Sequence, residues 1–93
     1  MFGQVPINLE KISKEHMNME ILRIALIAEL DAINLYEQMA AYTDDGNIKK
    51  VLLEVAKEEK EHVGEFQTLL LGLDKELVEE MEEGKKEVEE LTG

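Results

Sequence analysis

Residues 36–53 read YEQMAAYTDDGNIKKVLL, and at their centre lies TDDGN, residues 43–47. An Asp-Gly pair punctuates the chain, and Asp44 or Asp45 is placed to cap whatever follows. Upstream, IALIAELDAINLYEQMAAY runs to Tyr42 with no Pro or Gly. The expected first helix covers about residues 14–42, with Ser13 as its cap and acidic Glu15 in its first turn. Downstream, a second helix is expected over residues 47–71. LGLD, residues 71–74, forms a second break, with Gly72 as a C-cap candidate and Asp74 as an N-cap candidate. A third helix is expected over 75–91, where Leu77, Met81, Val88 and Leu91 make a thin apolar stripe interrupted by Gly84. Residues 1–12 read as an irregular arm. The short turn makes the first two helices an antiparallel hairpin. Such a hairpin cannot enclose its own apolar faces, and pairing two of them into a four-helix bundle is the simplest cure.

Composition supports an all-α chain of one domain. The 93 residues contain one Pro and no Trp, and aromatics are 4%. Leu, Ile, Ala, Met, Glu and Lys favour helix, and β-branched and aromatic residues are too thin for a sheet protein. A chain this short buries a modest share of its surface, which oligomerisation commonly remedies. The net charge of −12 argues against nucleic acid and anionic membranes as partners and favours cations. No cysteine is present, which excludes disulfides, thiolate zinc sites and iron–sulfur clusters. The opening MFGQVPINLEK lacks a basic start followed by an apolar core, so no signal peptide is expected. No apolar run reaches membrane-spanning length.

Three ionisable residues stand out by direction. At about 100° per residue, Leu22, Ala25, Leu26, Ile33, Tyr36 and Ala40 all lie within about 60° of Glu29. Glu29 is therefore in the middle of the apolar stripe of the first helix. On the second, Ile48, Leu52, Val55, Ala56, Val63, Phe66 and Leu70 surround Glu59 in the same way, and His62 lies at the margin of that stripe. Glu20, Asp31, Glu54 and Glu61 point elsewhere. A carboxylate facing a core is costly unless compensated. Height gives a second criterion. Glu29 lies fifteen residues before Asp44 and Glu59 fifteen after it, so the two sit level, roughly 20 Å from the turn at about 1.5 Å per residue. Glu59 and His62 form a Glu-x-x-His pair, the spacing that projects two side chains from one helix face. In a Glu-rich chain that pair alone arises easily by chance. Inward direction and equal height are what single it out.

One chain thus offers two carboxylates and one imidazole. A dinuclear carboxylate site in a ferritin-like bundle takes a Glu from each of two helices and a Glu-x-x-His from each of the other two. A two-fold dimer would supply four Glu and two His around two metals, and four negative charges then balance two divalent cations. Oxygen and imidazole ligands suit Fe, Mn or Zn. Tyr36 lies two turns after Glu29 on the same face, with its hydroxyl leaning back toward Glu29; a core or interface tyrosine is the other reading. His16 points away from Glu29 and reads as a surface residue. Ile24, Ile27 and Leu35 lie on the back of the first helix and suit a second subunit contact. Asp31 shares that face, where a solvated Asp or a further cation site across the contact are the two readings.

With these residues in place, the chain resembles the encapsulated ferritins, the ferritin-like cargo of encapsulin nanocompartments. The resemblance runs from about residue 15 to the end. It is carried by Glu29 and Tyr36 in AELDAINLYEQM, by Glu59 and His62 in AKEEKEHVGEFQTLLL, and by the short helix after LGLD. It implies a homodimer with a di-iron ferroxidase centre at its interface and five such dimers in a decameric ring. The implied ligands are Glu29, Glu59 and His62 from each subunit, Glu59 bridging two Fe ions per dimer, with Tyr36 beside them. The implied activity is oxidation of Fe(II) to Fe(III) with O2, supplying iron to an encapsulin shell within the cytoplasm. Members often carry further acids flanking the ligand Glu and a Trp before the Tyr. Here Ala28, Asp31 and Leu35 stand at those positions, leaving Asp31 as the candidate secondary metal site. Cargo proteins usually end in an apolar docking peptide, and some relatives are fused to the shell protein; for this chain, which reads EELTG at that point, loading by another route and an excised domain of such a fusion are the two readings. The alternative to an enzyme is a non-catalytic assembly protein stapled by Zn or Ca, with Mn a further substitute for Fe, at the same site.

Overall fold

The structure, a computed structural model, describes residues 16–93. Among the described residues the chain is all-helical, without strands. It forms α1 (Met17–Tyr42), α2 (Gly46–Leu73) and α3 (Lys75–Thr92). The expected irregular arm, the Ser13 cap and the Glu15 first-turn position lie outside the described residues. Within them, His16 occupies the N-cap of α1 and makes no side-chain capping bond. No described helix is long and apolar enough to cross a membrane.

Three residues make the turn between α1 and α2. The Thr43 N–H donates to the Met39 carbonyl at 3.0 Å and closes α1. The Asp45 N–H donates to Thr43 Oγ1 at 3.2 Å. Asp45 Oδ1 then accepts from the Asn47 and Ile48 N–H groups at 2.9 and 3.0 Å. Of the two aspartates offered by the sequence, Asp45 is therefore the cap. It satisfies two of the donors that every helix start leaves orphaned.

The second break corrects the expected boundary. α2 does not stop at Leu71 with Gly72 as its C-cap; it continues to Leu73, and Gly72 is helical. No left-handed residue is needed, because Asp74 performs the whole transition with negative φ, at φ −113° and ψ 89°. Its N–H donates to the Leu70 carbonyl at 2.9 Å, its Oδ1 accepts from the Leu77 N–H at 3.0 Å, and its Oδ2 accepts from Arg23 Nη2 of α1 at 3.2 Å. One residue thus ends α2 through its backbone N–H, while its side chain starts α3 and pairs with α1. α3 runs through Gly84 unbroken.

α1 and α2 pack as the antiparallel hairpin, whereas α3 makes little contact with α2. The core is small: Ile33, Ala40, Ala56 and Leu70. Ala40 and Ala56 are almost completely covered, because their short side chains let the two backbones approach. α3 buries no residue. Large apolar side chains stay exposed on every helix, among them Ile21, Leu30, Ile48, Val51, Leu69 and Val88. Scattered exposed apolar residues are ordinary. Ile48, Val51, Leu69 and Leu73 are not scattered, since all lie on the side of α2 that carries His62.

Candidate metal centre

Glu29 comes from the middle of α1, and Glu59 and His62 from the middle of α2. The structure brings the three together: one ligand atom from each lies within 4.8 Å of the others. His62 Nδ1 stands 3.4 Å from Glu29 Oε2 and 3.4 Å from Glu59 Oε2. The imidazole is thus shared between the carboxylates. The two Glu side chains are 19% and 18% exposed and His62 is 45% exposed. The acids sit within the hairpin groove and the imidazole stands at its open side.

The arrangement leaves a deficit. Glu29 Oε2 is buried and has no hydrogen-bond partner. Its separation from His62 Nδ1 is an ion-pair distance without hydrogen-bonding geometry, whereas the Glu59 contact has that geometry. A buried, unpartnered carboxylate oxygen is among the costlier features a small protein can carry. A divalent cation among two carboxylates and an imidazole removes that cost, and this hard-to-borderline donor set is the kind that Fe, Mn and Zn accept. The residues present therefore fit a metal ion, with Glu29 and Glu59 supplying oxygen and His62 nitrogen.

Two ion pairs cross from α1 to the α2 side of the hairpin. Lys60 Nζ lies 3.1 Å from Glu37 Oε2, and Arg23 Nη2 lies 3.2 Å from Asp74 Oδ2. Sequence reasoning missed both. It paired residues equidistant from the turn, but Lys60 lies nine residues farther from Asp44 than Glu37 does, and Asp74 lies nine farther than Arg23. Side chains lean toward the N-terminus of their own helix. On α1 that is away from the turn and on α2 toward it. For Lys60 and Glu37, two long side chains within the helices, this lean helps close an offset of about 13 Å along the axis, whereas Asp74 is short and lies between α2 and α3, where Arg23 reaches it.

The other singled-out residues stand apart from the triad. Tyr36 is half-buried and makes no hydrogen bond among the described residues. Asp31 is half-buried and has a polar interaction of its own. Among the described residues it joins no second group of three metal-ligating side chains. His16 is exposed at the start of α1, away from the triad, and also has a polar interaction.

Comparison with known proteins follows the same lines. Residues 4–81 match the model of the EncFtn-like family. The chain is 62% identical over 87 residues to a ferritin-like-encapsulin shell fusion protein of Pyrococcus furiosus, covering 94% of this chain and 25% of that protein. It is 44% identical over 55 residues to the encapsulin nanocompartment cargo protein EncC of Myxococcus xanthus, covering 59% of this chain and 42% of that one. It thus spans about a quarter and under half of these two relatives' lengths. Among solved structures, the encapsulated ferritin domain from Pyrococcus furiosus superposes with a TM-score of 0.86 at 57% identity, covering 97% of each chain.

Proposed function

The chain belongs to the EncFtn-like family, and from that premise we propose that it is a ferroxidase, oxidising Fe(II) to Fe(III) with O2 at a site that two copies complete together. The observation that carries this reading is the buried, unpartnered Glu29 Oε2 beside Glu59 and His62. A single chain supplies two carboxylates and one imidazole, half of a dinuclear carboxylate site in a four-helix bundle. A second copy brings the donors to four Glu and two His, and the charge of four carboxylates equals that of two Fe(II).

The exposed side of α2 supports this placement. His62 stands between Ile48 and Val51 on one side and Leu69 and Leu73 on the other, all exposed. A second hairpin laid on that face covers the apolar groups and brings its own Glu29, Glu59 and His62 toward the first set. In this arrangement Glu29, Glu59 and His62 of each copy would hold the two metal ions, with Glu59 placed to be shared between them. When bound, two Fe(II) would supply the two electrons that, with two protons from water, reduce O2 to hydrogen peroxide and leave two Fe(III). The protein's part is to fix the metal positions, exclude bulk water with the surrounding aliphatic side chains, and neutralise charge. No general base is required. The surface charge of −12 draws cations toward the groove.

The same reading makes the assembly a ring of five such dimers and its setting the interior of an encapsulin compartment in the cytoplasm. One relative is named as a fusion to the shell and another as its cargo, which supports that setting for this chain. The test is anaerobic loading with Fe(II), native mass spectrometry for the metal count, then admission of air. Two irons per dimer and rapid appearance of Fe(III) absorbance are expected. Metal bound with no faster oxidation than free iron would make the site a staple for assembly rather than an enzyme.

A further inference from the structure

α3 leaves the hairpin as a lever. The described residues extend over 47 × 44 × 20 Å. α2 is about 42 Å long and α3 about 27 Å at about 1.5 Å per residue. In line, the two would reach about 69 Å, and α3 folded along the hairpin would leave the second extent well short of its value. α3 therefore stands off the hairpin at a steep angle. The radius of gyration is 16.6 Å, against about 12 Å for a compact chain of this length.

The junction alone holds that angle. The helix of α2 continues through Gly72 to Leu73, and the Asp74 N–H closes it on the Leu70 carbonyl at 2.9 Å. Arg23 of α1 reaches the same residue, with Nη2 3.2 Å from Asp74 Oδ2. The Arg23 side chain is half-exposed, and an ion pair open to water is weak and is screened by salt. Gly72 is costly where it lies, because glycine gives up more backbone freedom in a helix than alanine does. No neighbour demands it: an added Cβ would meet nothing within 4 Å. Gly64 and Gly84 are open in the same way, but both lie inside their helices, whereas Gly72 is two residues from a break.

At that place glycine has a second use. With Gly72 left-handed, its N–H donates to the Leu69 carbonyl and the Leu73 N–H to the Thr68 carbonyl, the Schellman ending of a helix. α2 then stops at Leu71, and residues 72–74 become a true link. Asp74 keeps its hold on α3 in either case, since its Oδ1 accepts from the Leu77 N–H at 3.0 Å, a bond that lies wholly at the start of α3.

We propose that the α2–α3 junction has two states, one helical through Gly72 as seen here and one ended at Gly72 with α3 turned to a different angle, and that the Arg23–Asp74 pair is the latch on the first. The second state gives up the Asp74–Leu70 backbone bond and the ion pair. In return it releases a glycine from the helix. These are small opposing quantities, so the two states lie close in free energy, and salt biases the choice. Leu73 is about 16 Å along α2 from His62, and the device does not depend on the metal.

The experiment is a double electron–electron resonance measurement on the full chain. The sequence has no cysteine, so Lys57→Cys and Glu87→Cys, both at exposed positions, take spin labels without background. Dilution with excess unlabelled protein restricts the reading to distances within one chain. At low salt one main distance is expected, roughly 30 Å for a steep elbow with arms of about 25 and 20 Å. Salt at about 1 M, where the screening length is about 3 Å, should populate a second distance displaced by about 5 Å or more, the sweep of roughly 15° at Glu87. Arg23→Met should raise that population about fivefold at low salt. Gly72→Ala should lower it at least about tenfold, in the Arg23→Met background as well, because a left-handed alanine is costly. Gly84→Ala should leave both populations as they are, and helix content by circular dichroism is the folding control. A single distance in wild type and in Arg23→Met at every salt concentration overturns the proposal. So does a second distance that survives Gly72→Ala, whether or not that substitution alters the native mass.

Discussion

The hairpin and α3 are built from the same kinds of residue, yet they owe their structure to different causes. α1 and α2 bury Ile33, Ala40, Ala56 and Leu70 against each other and are laced by two ion pairs. α3 buries nothing, and its ion pair is between neighbours on its own surface, Lys86 and Glu83. What α3 has instead is a good start: the Asp74 cap, Glu76 in its first turn, and a run of strong helix formers. The contrast separates two questions. Whether a segment is helical is settled locally by caps and propensity. Where the helix lies is settled only by what it packs on, and for α3 the single chain provides almost nothing.

The sharpest way to break this contrast is to remove a residue that the ferroxidase proposal places on the metal. His62→Ala, in the hairpin, should cut the rate of iron oxidation by more than about 100-fold, since even outer-sphere partners of metal ligands cost up to that much. Stopped-flow absorbance reads this directly, and Lys86→Ala in α3 should leave the rate unchanged. The next test concerns packing. Leu70→Ala should destabilise the fold by about 2–4 kcal/mol, because Leu70 is 3% exposed. Val88→Ala should change urea stability of the dissociated chain by no more than about 0.5 kcal/mol. Equal losses would mean that α3 has a covered face within one chain.

Smaller effects sharpen the comparison at the junctions. Asp45→Ala and Asp74→Ala each remove a cap and should cost about 1 kcal/mol. The first should loosen the whole hairpin. The second should lower helix content chiefly in α3, as hydrogen exchange by segment would show. The smallest expected change is a gain. An added Cβ at Gly84 meets nothing within 4 Å, so Gly84→Ala should stabilise α3 by up to about 1 kcal/mol, seen as higher helicity at unchanged metal count.

Much of the hairpin was legible from the residues alone. Glu29 and Glu59 at equal distances from Asp44, each amid apolar neighbours, predicted a meeting point that the structure shows at 3.4 Å on either side of His62. That inference worked because rise and angle per residue are constants of the helix. Gly72 misled for the opposite reason. Glycine signals a helix end through its freedom at positive φ, but here Asp74 closes α2 through its own backbone N–H, so the freedom is not used. The ion pairs Lys60–Glu37 and Arg23–Asp74 escaped because equal distance from Asp44 was the criterion, and the members of each pair lie at unequal distances from it. The direction of α3 was not legible at all, since nothing in its own stripe says which surface it meets.

Asp74 has a further consequence. The joint is made of one residue, whose backbone N–H holds α2 and whose carboxylate holds α3 and Arg23. A change of about 10° there would sweep the far end of α3 through about 5 Å, enough to carry a leucine from one groove of a neighbouring helix to the next. The direction in which α3 leaves the hairpin is therefore set by a few hydrogen bonds at a single aspartate.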